Sequence, residues 1–73
     1  MLDKNILIRS EFITLQQLLK FANLICSGGH AKAFLSGNTI IINGVKDNRR
    51  GRKLYDGDKV VINNKLCLTV NKE

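Results

Sequence analysis

Apolar residues in the first half of the chain recur with the spacing of an α-helix. Four of them occupy positions i, i+3, i+4 and i+7, which share one helix face: Leu15, Leu18, Leu19 and Ala22. Thr14 precedes this stripe and Gln17 follows three positions later, which is the pattern of a capping box. The spacing therefore predicts an amphipathic helix that begins after Thr14.

A second helix is predicted to begin after Ser27, because a serine hydroxyl suits the N-cap position. Ala31, Phe34 and Leu35 would then face inward. Gly37 is expected at the C′ position, just past the helix end, where a left-handed backbone costs least. Two short helices in succession predict a helical hairpin.

The rest of the chain has the β-branched content and the turn residues of short strands. Strands are expected at residues 5–9, 39–43, 59–63 and 66–70, with turns at 43–44, 56–58 and 63–65. The predicted fold class is α+β, with the helix pair packed on a small, mostly antiparallel sheet in a single domain over residues 1–73. The last strand is expected to leave an open edge, and the three phenylalanines are expected in the core: Phe12, Phe21 and Phe34.

Charge is concentrated in one stretch. The chain of 73 residues carries 12 Lys and Arg against 6 Asp and Glu, for a net charge of +6. Residues 46–53, the basic segment, hold five basic side chains and one acidic side chain, so most of the excess charge lies there. A chain this short excludes a multidomain enzyme, and no apolar run approaches the length of a membrane span.

The basic segment has the side chains that bind polyanions. The planar guanidinium of arginine suits bidentate contacts to phosphate, and three arginines within four positions are expected to expose their forks on one side of a loop. A merely solubilising loop would carry interspersed acids, whereas only Asp47 is present. The predicted strands are aliphatic, and Tyr55 is the one candidate for stacking. A phosphate backbone and its shape are therefore expected as the target, rather than splayed bases.

A second anion contact is predicted at residues 27–29, Ser-Gly-Gly. The first N–H groups of a helix lack partners within the helix, and glycines let an anion approach them closely. The same three residues are equally compatible with a helix N-cap that binds no anion. Helical spacing also places Gly29, Lys32 and Ser36 on one polar strip that contains a cation and no acid.

Catalytic and metal-binding constellations are absent from the pattern. His30 is the only histidine and is expected at the surface near a helix start, while the acidic residues are scattered. Cys26 and Cys67 are too far apart and too few for a zinc site or a disulfide scaffold, so both are expected to be reduced and partly buried in a cytoplasmic protein. No enzymatic activity, cofactor, metal, membrane contact or small-molecule substrate is predicted.

The order of motifs resembles the RNA-binding domain named after ribosomal protein S-four, also called the alpha-L motif. The resemblance covers about residues 14–62 and lies in Leu-x-x-Leu-Leu-Lys at 15–20, Ser-Gly-Gly-His-Ala at 27–31, Phe-Leu-x-Gly at 34–37, Ile-Asn-Gly at 42–44 and Leu-x-x-Gly-Asp at 54–58. The stretch 48–54, Asn-Arg-Arg-Gly-Arg-Lys-Leu, is similar to the small stand-alone bacterial branch of that family (YaaA/YbcJ-like).

The resemblance implies that structured, ribosomal RNA lies between the second helix and the basic hairpin, in ribosome assembly or translation. Carried onto this chain, it implies RNA contacts at Ser27, Gly28, Gly29, Lys32, Lys46, Arg49, Arg50, Arg52 and Lys53. Many members of the wider family carry two arginines after the serine, where this chain has Gly28 and Gly29. The basic segment is therefore expected to supply more of the binding.

Two other functions remain compatible with the residues alone. The basic segment could dock on an acidic protein partner, which would make the chain an adaptor. It could also bind duplex DNA, since charge does not distinguish the two nucleic acids. The pattern leaves the oligomeric state open.

Overall fold

The computed structural model describes all residues, Met1–Glu73, and has the predicted α+β architecture. Two helices pack on a mostly antiparallel sheet, which confirms the fold class. The elements in chain order are β1 (Leu2–Ile8), β2 (Ile13–Thr14), α1 (Leu15–Phe21), α2 (Gly28–Gly37), β3 (Ile40–Ile42), β4 (Val45–Lys46), β5 (Lys53–Leu54), β6 (Lys59–Ile62) and β7 (Leu66–Lys72).

Helix α1 has the predicted capping box. The Gln17 amide donates to Thr14 Oγ1 at 3.2 Å, and the Thr14 amide donates to Gln17 Oε1 at 3.0 Å. The three leucines of its stripe are fully buried. The helix ends through a left-handed Asn23, and the Leu24 amide donates to Leu19 O at 2.9 Å, as in a Schellman motif.

Helix α2 begins after Ser27, as predicted, and buries Ala31 and Leu35. The prediction for Gly37 is wrong, because Gly37 is the last helical residue and its φ is not positive. The C-cap is Asn38, whose backbone is extended and whose side-chain amide donates to Phe34 O at 2.7 Å. Because that amide satisfies a carbonyl at the helix end, no left-handed glycine is needed there.

The main sheet has the strand order β1-β7-β6-β3-β4, and β1 pairs with β7 in parallel while the other pairs are antiparallel. The expectation of an open edge at the last strand is wrong, because β7 lies between β1 and β6. The edges are β1 and β4. Strands β2 and β5 form a separate antiparallel pair.

The predicted turns hold the sheet in register. Asn43 and Gly44 both have positive φ in the two-residue connection between β3 and β4, as a type I′ hairpin requires. Asn63 and Asn64 also have positive φ, in the three-residue connection between β6 and β7. One hydrophobic cluster fills the space between sheet and helices, and no buried residue is polar. Neither helix has the length and apolarity needed to cross a membrane.

Candidate nucleic-acid interface

The basic segment connects two strands and folds back on itself. It was expected as an exposed loop, but Lys46 belongs to β4 and Lys53 belongs to β5 because each pairs with a neighbouring strand. Between them the Arg52 amide donates to Arg49 O at 3.1 Å and closes a tight turn. The segment is therefore held at both ends and in the middle.

The turn is anchored on the start of helix α1. The Leu15 amide donates to Arg52 O and the Gln16 amide donates to Arg50 O, each at 2.9 Å. These amides belong to the first turn of the helix and have no acceptor within it. The contact fixes the backbone of the basic segment beside the helix pair.

Asp47 organises the arginines of this turn. Its carboxylate accepts from Arg49 Nε and Nη2, at 3.1 Å and 2.8 Å, and from the Arg49 amide at 2.9 Å. Arg52 Nη1 donates to the same carboxylate at 2.8 Å. These bonds hold the pKa of Asp47 well below its ordinary value, and those from Arg49 contribute most. The carboxylate in turn raises the pKa of Arg49.

The three arginines are therefore not equivalent, which corrects the expectation of three free forks. Arg52 is 27% exposed and Arg49 is 72% exposed, and both side chains bind Asp47. Arg50 is exposed and its side chain has no partner in the protein. Sequence reasoning treated Asp47 only as a lone acid and missed its structural role. Its spacing of two and five positions from Arg49 and Arg52 was the available signal.

A groove runs between helix α2 and the basic segment, and we call it the α2 groove. One part, of about 290 Å³, is lined by Lys32, Leu35, Ser36, Asn48 and Arg50. The adjoining part, of about 510 Å³, shares three of these residues and extends between residues 36–40 and residues 46–48. Both walls of the groove therefore carry cations. Lys32 lies on the helix side, and Lys46 and Arg50 lie on the side of the basic segment.

Gly28 and Gly29 lie four and three positions before Lys32, so they are on the same side of α2 one turn earlier. The His30 amide donates to Ser27 Oγ at 3.4 Å, and the amides of Gly28 and Gly29 have no acceptor in the chain. A Cβ on Gly28 would come within 2.9 Å of Gln16 Nε2, which is the end of a flexible side chain and can move aside. No acidic residue lies in this first turn.

Comparison with protein families gives a match to the S4 domain over residues 6–70. The chain belongs to the S4-domain family. A relative in Bacillus subtilis (strain 168), named "Probable ribosome maturation protein RlbA", is 58% identical over 55 residues, which cover 75% of this chain and 78% of that protein. No solved structure matches the chain.

Within this S4 domain, the residues implied by the resemblance fall into three groups. Lys32, Lys46 and Arg50 line the α2 groove, and Ser27, Gly28 and Gly29 lie one helical turn before Lys32. Arg49 and Arg52 are held on Asp47. Lys53 lies apart from the groove, with its Nζ 4.9 Å from the centre of the Phe12 ring.

The predictions for the phenylalanines require correction. Phe12 and Phe21 are exposed, and Phe34 is half-buried against the core. Phe12 precedes Ile13, which faces the core, so strand alternation turns Phe12 outward. Phe21 lies outside the leucine stripe of α1. The Phe12 ring instead pairs with Tyr55, at 5.9 Å between ring centres.

Groups that could support other chemistry are few. No three His, Cys, Asp or Glu side chains lie together as metal ligands would. His30 is exposed, as expected, and its Nδ1 accepts from the Cys26 amide at 3.3 Å. Both cysteines are free. Cys67 is buried, but Cys26 is exposed, so the prediction of partial burial is wrong for both.

Proposed function

We propose that this S4 domain is a non-enzymatic RNA-binding protein that recognises structured ribosomal RNA during ribosome maturation. The observation that carries the proposal is the α2 groove, where cations from two walls converge beside two open helix amides. The name of the relative from Bacillus subtilis supports the link to the ribosome. Its place of action would be the cytoplasm, where bacterial ribosomes assemble.

The phosphate backbone would lie along the groove. Lys32, Lys46 and Arg50 would neutralise successive phosphates, since none of the three side chains has a partner in the protein. The amides of Gly28 and Gly29, with the Ser27 hydroxyl, would hold another phosphate at the positive end of the helix dipole.

The remaining cations would assist from the flanks. Arg49 keeps one guanidinium nitrogen, Nη1, free of Asp47 and is largely exposed, so it can still reach a phosphate. Arg52 is mostly covered, and its main task would be to hold the turn. Lys53 would contact RNA that leaves the groove across β5.

Recognition in the groove would depend on shape more than on sequence. Its walls present ammonium, guanidinium, hydroxyl and amide groups, and no aromatic ring lines it. The one carboxylate in the lining, Asp47, is paired with Arg49 and Arg52. Roughly four to six phosphate contacts would make log Kd rise with log salt with a slope of about 3 to 5.

The test compares two triple variants with the same net charge. The first, Lys32→Gln, Lys46→Gln and Arg50→Gln, removes the groove cations, and the second, Lys4→Gln, Arg9→Gln and Lys20→Gln, removes the same residue types elsewhere. Fluorescence anisotropy with a labelled ribosomal RNA hairpin measures affinity over a range of salt concentrations. The groove variant should lose roughly 30- to 300-fold in affinity at low salt, and the slope of log Kd against log salt should fall by about 2 to 3.

At physiological salt the control variant should stay within about threefold of the wild type, because charge away from the contact is largely screened there. Equal losses in both variants would contradict a localised groove. Stronger binding to an equally long DNA duplex would favour the DNA function.

Cross-linking in cells then identifies the RNA itself. Ultraviolet cross-linking followed by sequencing should enrich one patch of ribosomal RNA. Reads spread over transfer and messenger RNA would support RNA binding but contradict a ribosomal target. A protein complex that survives RNase treatment, without cross-linked RNA, would favour the acidic-partner adaptor.

A further inference from the structure

The outer face of the two-stranded β2–β5 sheet carries an exposed aromatic pair. Ile13 pairs with Leu54 in the β2–β5 register, and both side chains are buried. Their neighbours Phe12 and Tyr55 therefore project to the other side, where the two rings contact at an interplanar angle of 49°. Phe12 is 36% exposed and Tyr55 is 46% exposed, so part of each ring remains in contact with solvent.

A cation lies on the same face as the rings. Thr14 pairs with Lys53, and the Lys53 Nζ lies 4.9 Å from the centre of the Phe12 ring. Lys53 is also the last residue of the basic segment. The aromatic pair is therefore contiguous with the basic segment, and neither ring lines the α2 groove itself.

Hydrogen bonds hold the backbone at each ring, and at Phe12 the Ser10 hydroxyl donates to the Phe12 carbonyl at 2.7 Å. The Tyr55 amide donates to Asp58 Oδ2 at 2.8 Å, and the Asp58 amide donates back to Tyr55 O at 3.0 Å. The acidic residues nearby are engaged as well: Asp56 accepts from the Lys72 amide and Glu11 from Lys72 Nζ. The face thus combines rigid exposed rings with an available ammonium group.

From this arrangement we infer that Phe12, Tyr55 and Lys53 form a subsite for one unpaired RNA base and its phosphate. An exposed aromatic ring stacks on any base, and an adjacent ammonium neutralises the phosphate of the same nucleotide. The inference rests on the proposed function and adds a preference for RNA that has a bulge or an unpaired end beside the helix bound in the groove.

The test uses two RNA hairpins that differ by one unpaired 2-aminopurine nucleotide in the stem. Stacking on a protein ring changes the fluorescence of this base analogue, which reports the contact directly. The wild type should bind the bulged hairpin roughly 5- to 30-fold more tightly than the paired hairpin, and the 2-aminopurine fluorescence should fall on binding.

Three variants assign the preference to the rings. Tyr55→Leu should abolish the preference and the fluorescence change while leaving affinity for the paired hairpin within about twofold, because the groove cations remain. Tyr55→Phe should retain the preference for the bulged hairpin and the fluorescence change. The matched control is Phe21→Leu, which alters a more exposed phenylalanine at the end of α1, in a depression lined by none of the basic-segment residues.

The possible outcomes separate this inference from the proposed function. Equal binding of both hairpins by the wild type, or an unchanged preference in Tyr55→Leu, would overturn the base subsite and leave the groove intact. Failure to bind either hairpin would overturn both. Circular dichroism of each variant checks that the fold is retained, and Lys53→Gln provides a second variant that should lower the preference without removing a ring.

Discussion

The two helices begin alike, yet their first turns have different surroundings. Each follows a hydroxyl N-cap, Thr14 for α1 and Ser27 for α2. At α1 each of the first three amides has an acceptor, because the basic segment supplies the Arg52 and Arg50 carbonyls and Thr14 supplies its hydroxyl. At α2 two amides remain open, and the bond from the third, His30, to Ser27 Oγ is long at 3.4 Å.

The difference shows that a segment distant in sequence determines whether the first amides of a helix are free to bind an anion. The carbonyls that satisfy α1 also bring a group of cations near the positive ends of two helix dipoles. That arrangement is electrostatically unfavourable by itself, and only Asp47 offsets it within the segment. Lys32, Lys46 and Arg50, which have no acidic partner, lie beside α2, and their charge would stabilise a polyanion bound there.

The strongest test of this difference places an acid at the open helix start. Gly29→Glu fits sterically, since a Cβ there meets nothing within 4 Å. It should stabilise the fold by about 0.5–1.5 kcal/mol, through helix propensity and the dipole. The same charge should weaken binding of the RNA hairpin roughly 10- to 30-fold, by occupying the phosphate position. Urea unfolding and anisotropy measure the two effects.

The matched control is Gln17→Glu, which adds the same charge to the first turn of α1. Gln17 lies on the side of Phe21 and Leu7, away from the α2 groove, and a glutamate preserves the capping box. Its RNA affinity should stay within about twofold of the wild type. Similar losses of affinity in both variants would show that the two helix starts do not differ as anion sites.

The two caps should also differ in their contribution to stability. Thr14→Ala removes the hydroxyl half of a capping box, whereas Ser27→Ala removes one long hydrogen bond. We expect losses of about 1–1.5 kcal/mol for Thr14→Ala and about 0.5 kcal/mol for Ser27→Ala in the free energy of unfolding. Chemical denaturation measures both, and the reverse order would mean that the α2 cap is the tighter one in solution.

Local features of this fold were predictable because they depend on neighbouring residues. The caps at Thr14 and Ser27, the leucine stripe of α1 and the turn at Asn43 and Gly44 all follow from short spacings. The parallel pairing of β1 with β7 could not be predicted in the same way. It joins the two ends of the chain, and nothing in either segment specifies its partner.

The candidate site shows the same division. Composition and spacing indicate which residues carry the positive charge, but not which of them are free. The side-chain bonds from Asp47 to Arg49 and Arg52 divide the arginines, and their geometry depends on the turn that α1 anchors. The pairing of Phe12 with Tyr55 likewise depends on a register between two strands of two residues each, too short to give a periodic signal.

A small effect is also expected at Asp47, whose carboxylate binds two arginines of the basic turn. Asp47→Asn should lower the free energy of unfolding by about 0.5–1 kcal/mol at neutral pH, since Arg49 is solvent-exposed and the bond from its amide survives.

The effect of pH identifies the carboxylate as the cause. Because the pKa of Asp47 is lower in the folded chain than its unfolded value of about 3.9, the ion pairs stabilise the fold fully above that value. Their contribution is lost as the pH falls from there toward the folded pKa. The difference in unfolding free energy between the wild type and Asp47→Asn should therefore shrink between neutral and strongly acidic pH. A difference that stays constant would assign the effect to packing of the turn rather than to its charge.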